Sequence, residues 1–193
     1  MNTFECIETR RSCRRFKDQP LEREKLDRII AAGRFAPCGS NSQTTHFIAI
    51  TSREVLNELA DPVREELGKM EITEGMYRSM AGAIRKCRVG PFVFHYNAPV
   101  LIVVANKKTY SNAMADSACS LENMMLEANE LDLGSCWINH LHWLDENPAV
   151  RAYLLRLGLG EDETVCGSVS VGYAEVLNRE PAGRAGKPGT SVR

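Results

Sequence analysis

The sequence predicts an α+β fold: a layered arrangement of one mixed sheet flanked by helices, with residues 1–193 forming one domain. Three observations carry this. Ala98 to Asn106, APVLIVVAN, is a nearly continuous apolar, β-branched run, the pattern of a strand buried on both faces. Asn112 to Leu133 keeps Met114, Ala118, Leu121, Met125 and Ala128 on one helical stripe. About four strands and five or six helices follow one another without the regular alternation of a parallel, doubly wound fold.

The elements are predicted in order as follows. Thr3 caps a short helix that carries Phe4 and Ile7. Pro20 opens a second helix, whose face is Leu26, Ile29, Ile30 and Gly33, and Pro37 ends it. PCGSNSQTT is a loop by its Gly, Ser and Asn content. HFIAIT is a strand. A helix from Ser52 carries Val55, Leu56, Leu59, Val63 and Leu67, and Pro62 should kink or split it. Residues 70–90 have mixed polarity and weak periodicity and form a candidate lid. After the long helix, with Gly134 as its C-cap, SCWIN is a short strand. Asp145 caps a helix with Val150, Leu154, Leu155 and Leu157, and TVCGSVSVGY is the last strand. Residues 178–193 form a tail without periodicity.

Composition narrows the function classes. The 193 residues carry a net charge of −1 and a pI near 6.4, which argues against a general nucleic-acid binder. No apolar run approaches the roughly 20 residues that span a bilayer, so no membrane partner is expected. The N-terminus has no apolar signal core, and a cytoplasmic location is the default. Seven cysteines without a CxxC pair read as free thiols.

Several familiar chemistries are missing. Gly158-Leu159-Gly160 follows a helix and lacks the third glycine of a dinucleotide fingerprint. GRAGK, Gly183 to Lys187, lacks the spacing and the trailing Ser or Thr of a P-loop. His140 and His142 offer two metal nitrogens, but no third ligand stands at a telling distance, so no metal is expected. An enzyme of this composition would leave the hard chemistry to a bound cofactor.

The charge pattern is uneven. ETRRSCRRF places Arg10, Arg11, Arg14 and Arg15 within six residues. A solvated basic face, a nucleic-acid patch and a pocket for one small anion are all compatible with that run. Three further motifs narrow the choice. RRSCRRF, APCGSNSQ (Ala36 to Gln43), LDLGSCWI (Leu131 to Ile138) and VSVGY (Val169 to Tyr173) occur in this order. Together they resemble the FMN-dependent nitroreductase family over about residues 4 to 187.

The resemblance implies a nitroreductase-like three-layer fold, with a mixed central sheet flanked by helices. It also implies a homodimer with FMN at the interface, NADH or NADPH as hydride donor, and nitroaromatics, quinones or flavins as acceptors. Arg10, Arg11, Ser12 and Arg14 match the N-terminal flavin motif. Cys38, Gly39 and Asn41 match the loop beside the ribityl and pyrimidine end. Trp137, Ile138 and Asn139 match the segment that passes the ring near N5. Arg184 matches the C-terminal phosphate-binding arginine, with Lys187 as a second basic residue later than the family's usual position. The sequence also departs at Thr44-Thr45, where the family has Pro and an aromatic residue. Relatives of the same fold carry out reductive dehalogenation or flavin breakdown, and a non-catalytic flavin carrier would use the same pocket. Glu74, Tyr77 and Lys86 fall in the candidate lid.

The residue chemistry agrees with an anion pocket. A phosphate of about −1.5 to −2 charge calls for several donors and at least two cations. The planar fork of Arg meets two phosphate oxygens at once. Arg10 and Arg11, with Arg184 from the far end, would clamp it, and Arg14 would sit by flavin N1 and O2, where reduced flavin is negative. Asn41 offers both a donor and an acceptor to the pyrimidine edge, or is simply a turn former. Ser12 bonds a ribityl or phosphate oxygen or caps backbone, and Trp137 packs beside the ring or in the core. No side-chain nucleophile or obligate acid–base residue is expected.

Overall fold

The computed structural model describes residues 1–187 and 189–191. The predicted tail therefore lies within them except for Pro188, Val192 and Arg193, which are outside the described residues. The tail has no regular secondary structure where it is described.

The centre of the molecule is β2 (Val100–Lys107), buried along all but its last residue. It lies between β1 (His46–Ile50) and β4 (Glu163–Gly172), and β3 (Gly134–Ile138) pairs with the far side of β4, giving the order β1-β2-β4-β3. All three pairings are antiparallel, with a register shift between Val104 and Ala105 against β4. Among the described residues, the mixed character expected of the sheet comes down to one isolated parallel bridge, Ser12 with Ser135.

Successive side chains of a strand point to opposite faces, so β2 builds two cores. Leu101, Val103 and Ala105 join one; Val100, Ile102 and Val104 join the other. Each buried aliphatic side chain contributes about 1.5–3 kcal/mol of transfer free energy, and β2 supplies them to both layers. That is why the strand reads as continuous rather than alternating.

The first layer is α3 (Arg53–Lys69), α6 (His140–Trp143) and α7 (Pro148–Arg156), with α4 (Arg78–Val89) packed on α3. The second is α2 (Arg23–Arg34) and α5 (Ala113–Glu130). The short α1 (Thr3–Thr9) rests on α5. Gly33 lets α2 approach closely: a Cβ there would lie 3.0 Å from Met124 Cγ and 3.1 Å from Phe47 Cε1.

Local chemistry shifts several predicted boundaries. Asn2, not Thr3, caps α1, its side chain accepting from Glu5 N–H. Within α1 the buried residue is Cys6, and Phe4 and Ile7 face outward. Helix α2 begins at Arg23 rather than Pro20. Pro62 neither splits nor ends α3, which runs 17 residues; the carbonyl its missing N–H deserts is that of Glu58, an exposed residue open to water. Residues 78–89 of the candidate lid are a regular helix with Ala81, Ala83 and Ile84 buried. The buried face of α5 runs through Ala113, Ser117, Leu121, Met124 and Ala128, so Met114 is left exposed. Leu131 is its C-cap, Asp132 takes the left-handed turn at φ 60°, and Gly134 already belongs to β3. Asn147 caps α7.

Asp145 instead bridges elements. It accepts from Val165 N–H at 3.0 Å and Thr164 Oγ1 at 2.6 Å, and pairs with Arg151 at 3.3 Å. Both charged side chains of that pair are largely buried.

Candidate functional site

The arginine segment is extended and strapped to the sheet. Cys13 N–H donates to the Ser135 carbonyl at 2.8 Å, Lys17 N–H to Tyr173 O at 2.8 Å, and Glu175 N–H to Arg15 O at 3.1 Å. Phe16 is buried beside Ala174. The strap lies so close to β3 that a Cβ on Gly134 would fall 2.7 Å from Cys13 Cβ and Sγ. Glycine is therefore required there for contact rather than for conformation.

This strapping sends the arginines to different places. Arg10 Nε stands 3.6 Å from Glu122 on α5, with its side chain 20% exposed. Arg11 donates to the Glu180 carbonyl at 3.2 Å. Arg14 has its guanidinium 5.9 Å from the Tyr96 ring centroid. Ser12 is exposed and bridges Ser135 through its backbone.

Beside this segment β3 leads into α6. Trp137 is half-buried on the α5 side of the sheet, and its Nε1 donates to Asn139 Oδ1 at 2.5 Å. Ile138 is buried in the opposite core. The strap thus lays Ser12 and Cys13 against Ser135 of the strand that leads into Trp137–Asn139, two segments far apart in sequence.

A cavity of about 480 Å³ opens next to them, walled by Arg14, Tyr96 and Phe92 and by α4. Its floor includes His140, 7% exposed and ringed by Phe92, Phe94 and Trp143 at 5.5, 5.9 and 5.1 Å. His140 Nδ1 has no hydrogen-bond partner among the described residues. Burial, helped by the positive charge of Lys86, pulls the His140 pKa down to about 4, so the ring is neutral at pH 7. His142, two residues on, is committed elsewhere: its Nδ1 lies 2.7 Å from the Val165 carbonyl. A carbonyl partner fixes the hydrogen on that nitrogen.

The loop holding Cys38, Gly39 and Asn41 is a separate feature. Gly39–Asn41 form a 3₁₀ turn. Gly39 N–H donates to Asp116 Oδ2 at 3.1 Å, and Tyr110 Oη donates to the same oxygen at 2.8 Å. A Cβ on Gly39 would meet Tyr110 Oη at 2.5 Å and Asn112 Nδ2 at 2.6 Å. Ser40, Asn41 and Gln43 hold left-handed φ values of 53°, 51° and 49°. Such strain persists only where surroundings over-determine it, and it collects at functional sites. The Asn41 side chain is exposed and makes no hydrogen bond among the described residues; Cys38 Sγ accepts from Gln43 N–H at 3.4 Å. At the departure from the family pattern, Thr44 Oγ1 is buried without a partner among the described residues, and Thr45 Oγ1 accepts from Asn106 at 3.4 Å.

The two groups of residues are anchored at different points of α5. Arg10 reaches α5 at Glu122, and Gly39 reaches it at Asp116. Six residues of helix separate these anchors by about 9 Å of rise and about 120° of turn. Arg184 and Lys187 are exposed in the tail, without a hydrogen bond or ion pair among the described residues.

Sequence reasoning missed Asp116 as the holder of Gly39, and it read His140 only as a metal candidate. Tyr77 and Lys86 of the candidate lid do line the cavity, but Arg78 and Gly82 beside them went unnamed. The spacing of Arg78, Gly82 and Lys86, i, i+4 and i+8, was the available signal.

Two helical layers cover an antiparallel sheet, with a cationic strap beside one strand end. The chain belongs to the Nitroreductase family, whose model matches residues 7–173. It is similar to an FMN-bound nitroreductase from Bacteroides fragilis at 31% identity and a TM-score of 0.87, each chain covered completely. It is 27% identical to the nitrobenzene nitroreductase of Ectopseudomonas oleovorans over 199 aligned positions, 88% of this chain and 85% of that one. Against the FMN reductase (NADPH) of Bacillus subtilis it is 26% identical over 71% of its own length, and the match spans 53% of that protein.

Proposed function

We propose that this protein is an FMN-dependent NAD(P)H oxidoreductase that reduces nitroaromatics, quinones or similar small acceptors in alternating half-reactions. The observation that carries this reading is the strap that holds the arginine segment on β3 at Ser135, with Arg14 in the wall of the 480 Å³ cavity. FMN-bound and NADPH-using relatives support the cofactor pair.

The residues fit FMN. Arg10 and Arg11, with Arg184 and Lys187 from the tail, supply cations for a phosphate. Arg14, in the cavity wall, offers charge at the ring edge. The exposed amide of Asn41 is free for a pyrimidine edge. Ser12, Cys38, Gly39, Trp137, Ile138 and Asn139 belong to the same reading. The flavin accepts and gives up a hydride equivalent; the chain's own residues bind, orient and hold charge.

A homodimer belongs to the same reading. A second copy would carry its Cys38–Asn41 loop to the strap of the first and complete the site. Phe35, 88% exposed, and Phe4, Ile7 and Met114 offer apolar surface for that contact. One domain over residues 1–193, in a cytoplasmic setting where its cysteines stay reduced, belongs to the same proposal.

Anaerobic mixing with NADH or NADPH tests it. The protein should purify yellow with about one FMN per chain and bleach on mixing. A protein that stays yellow is a carrier. One that neither carries nor takes up FMN ends the reading.

A further inference from the structure

The cavity beside α4 holds more positive charge than a neutral acceptor needs. Arg78, Gly82 and Lys86 lie on one face of α4, with Ser79 and Ala83 beside them. The two cations are about 12 Å apart along the axis, with small residues between. A Cβ on Gly82 would meet nothing within 4 Å, so the groove between them is open.

Arg78 and Lys86 make no ion pair or hydrogen bond among the described residues. Arg88, on the same helix, donates to Gly68 O at 2.9 Å and Met70 O at 2.6 Å. Lys86 Nζ stands 5.8 Å from the Phe92 ring centroid, at the reach of a cation–π contact. Tyr77 packs edge-on against Trp143. His140, 7% exposed, contributes its ring to the cavity wall beside Phe92 and Trp143.

We infer that the acceptor reduced by this protein is a planar aromatic carrying an anionic substituent, a carboxylate or sulfonate held by Arg78 and Lys86, with its ring against Tyr77, Phe92 and His140. The reduction step rests on the oxidoreductase reading above; the anion site does not. For a nitro acceptor the balance is NAD(P)H + H⁺ + Ar–NO₂ → NAD(P)⁺ + Ar–NO + H₂O. Two electrons leave with the nicotinamide hydride, one N–O bond breaks, and its oxygen leaves as water. The anionic substituent is unchanged.

The test compares 4-nitrobenzoate with 4-nitrobenzyl alcohol on the FMN-loaded protein, and titrates 4-nitrobenzoate calorimetrically without nicotinamide. The acid should be preferred in kcat/KM by about ten-fold or more. Arg78→Gln and Lys86→Gln should each cut the acid-to-alcohol ratio by about ten-fold, mainly through KM, as expected for loss of one charge-assisted contact. Lys86→Glu should shift the preference toward the cationic 4-nitrobenzylamine. Both positions are exposed, so these variants should fold. Equal kcat/KM for acid and alcohol overturns the inference and leaves the oxidoreductase reading intact. A loss confined to the KM for NADPH also overturns it and assigns the cations to the dinucleotide's phosphates. If no acceptor is reduced, the oxidoreductase reading fails and calorimetry decides the site alone. Binding of 4-nitrobenzoate that Lys86→Gln abolishes upholds the site, and no binding overturns it.

Discussion

Cys13 and Ser135 are joined through their backbones, the N–H of one donating to the carbonyl of the other at 2.8 Å. This bond holds the arginine segment against β3. Its closeness depends on Gly134, where a Cβ would lie 2.7 Å from Cys13 Cβ and Sγ and 3.2 Å from Ala174 Cβ. Gly134→Ala should cost about 1–3 kcal/mol, as overpacking does, and weaken FMN binding as the strap lifts. Urea unfolding and an FMN titration of the variant measure both. Unchanged values for both would show that the contact does not position the site.

The arginines should separate by ligand. Arg10→Ala and Arg184→Ala should weaken FMN about ten- to a hundred-fold, the worth of a charge-assisted hydrogen bond of roughly 1.5–3 kcal/mol, while sparing riboflavin, which has no phosphate. Arg14→Ala should weaken both ligands alike and lower the flavin potential. Paired titrations of the apoprotein variants decide it; equal losses of FMN and riboflavin in Arg10→Ala defeat the phosphate role.

Asp145 is a structural prediction independent of flavin. Asp145→Ala removes the acceptor of Val165 N–H and Thr164 Oγ1 and leaves Arg151 largely buried without its carboxylate. Stranding a buried charge costs about 3–5 kcal/mol. Denaturant unfolding should show a loss of that size, with a smaller loss when Arg151 is also replaced by Met.

Acid should destabilise the fold through two histidines. Burial lowers His140 and His95 from 6.5 to about 4, aided by Lys86 and Arg53 respectively. Below pH 6.5 the unfolded chain takes up protons that the folded chain refuses, so the stability present above 6.5 falls as pH drops toward 4. Each histidine should remove about 2 kcal/mol between pH 6.5 and 5. Urea midpoints across that range check this, and His140→Gln should flatten the slope.

Light scattering at micromolar concentration should report two 21.5 kDa chains. Phe35→Asp, at a residue 88% exposed in one chain, should shift the mass toward one chain. It should release flavin as well if the second copy completes the site.

Much of this architecture is legible in the sequence because burial writes it there. Strand β2 must satisfy two cores at once, so its apolar run has no gap, and α3 keeps Leu56, Leu59, Val63 and Leu67 on one face. Helix α4 buries only Ala81, Ala83 and Ile84, too small a stripe to stand out beside its arginines. Adjacent Asn2 and Thr3 are both capping residues, and only the path of the chain decides between them. The flavin-motif positions are readable one by one. Their convergence is made by backbone bonds such as Cys13 to Ser135, which depend on register and leave no mark on residue type. Asp116 and His140 were hidden for the same reason: each acts through what tertiary packing puts beside it.

Strand β4 is made last yet lies inside the sheet, between β2 and β3. On the ribosome, β2 and β3 therefore wait with open edges until residues 163–172 emerge, and β2 is the most apolar segment of the chain. An unpaired apolar edge is a template for wrong pairing. A chain that stops short of β4 gives no smaller working unit, only the β1–β2 pair with one edge open and β3 without a partner. Yield in cells will therefore depend on how quickly translation carries the chain from β3 to β4, where each pause prolongs exposure of that edge.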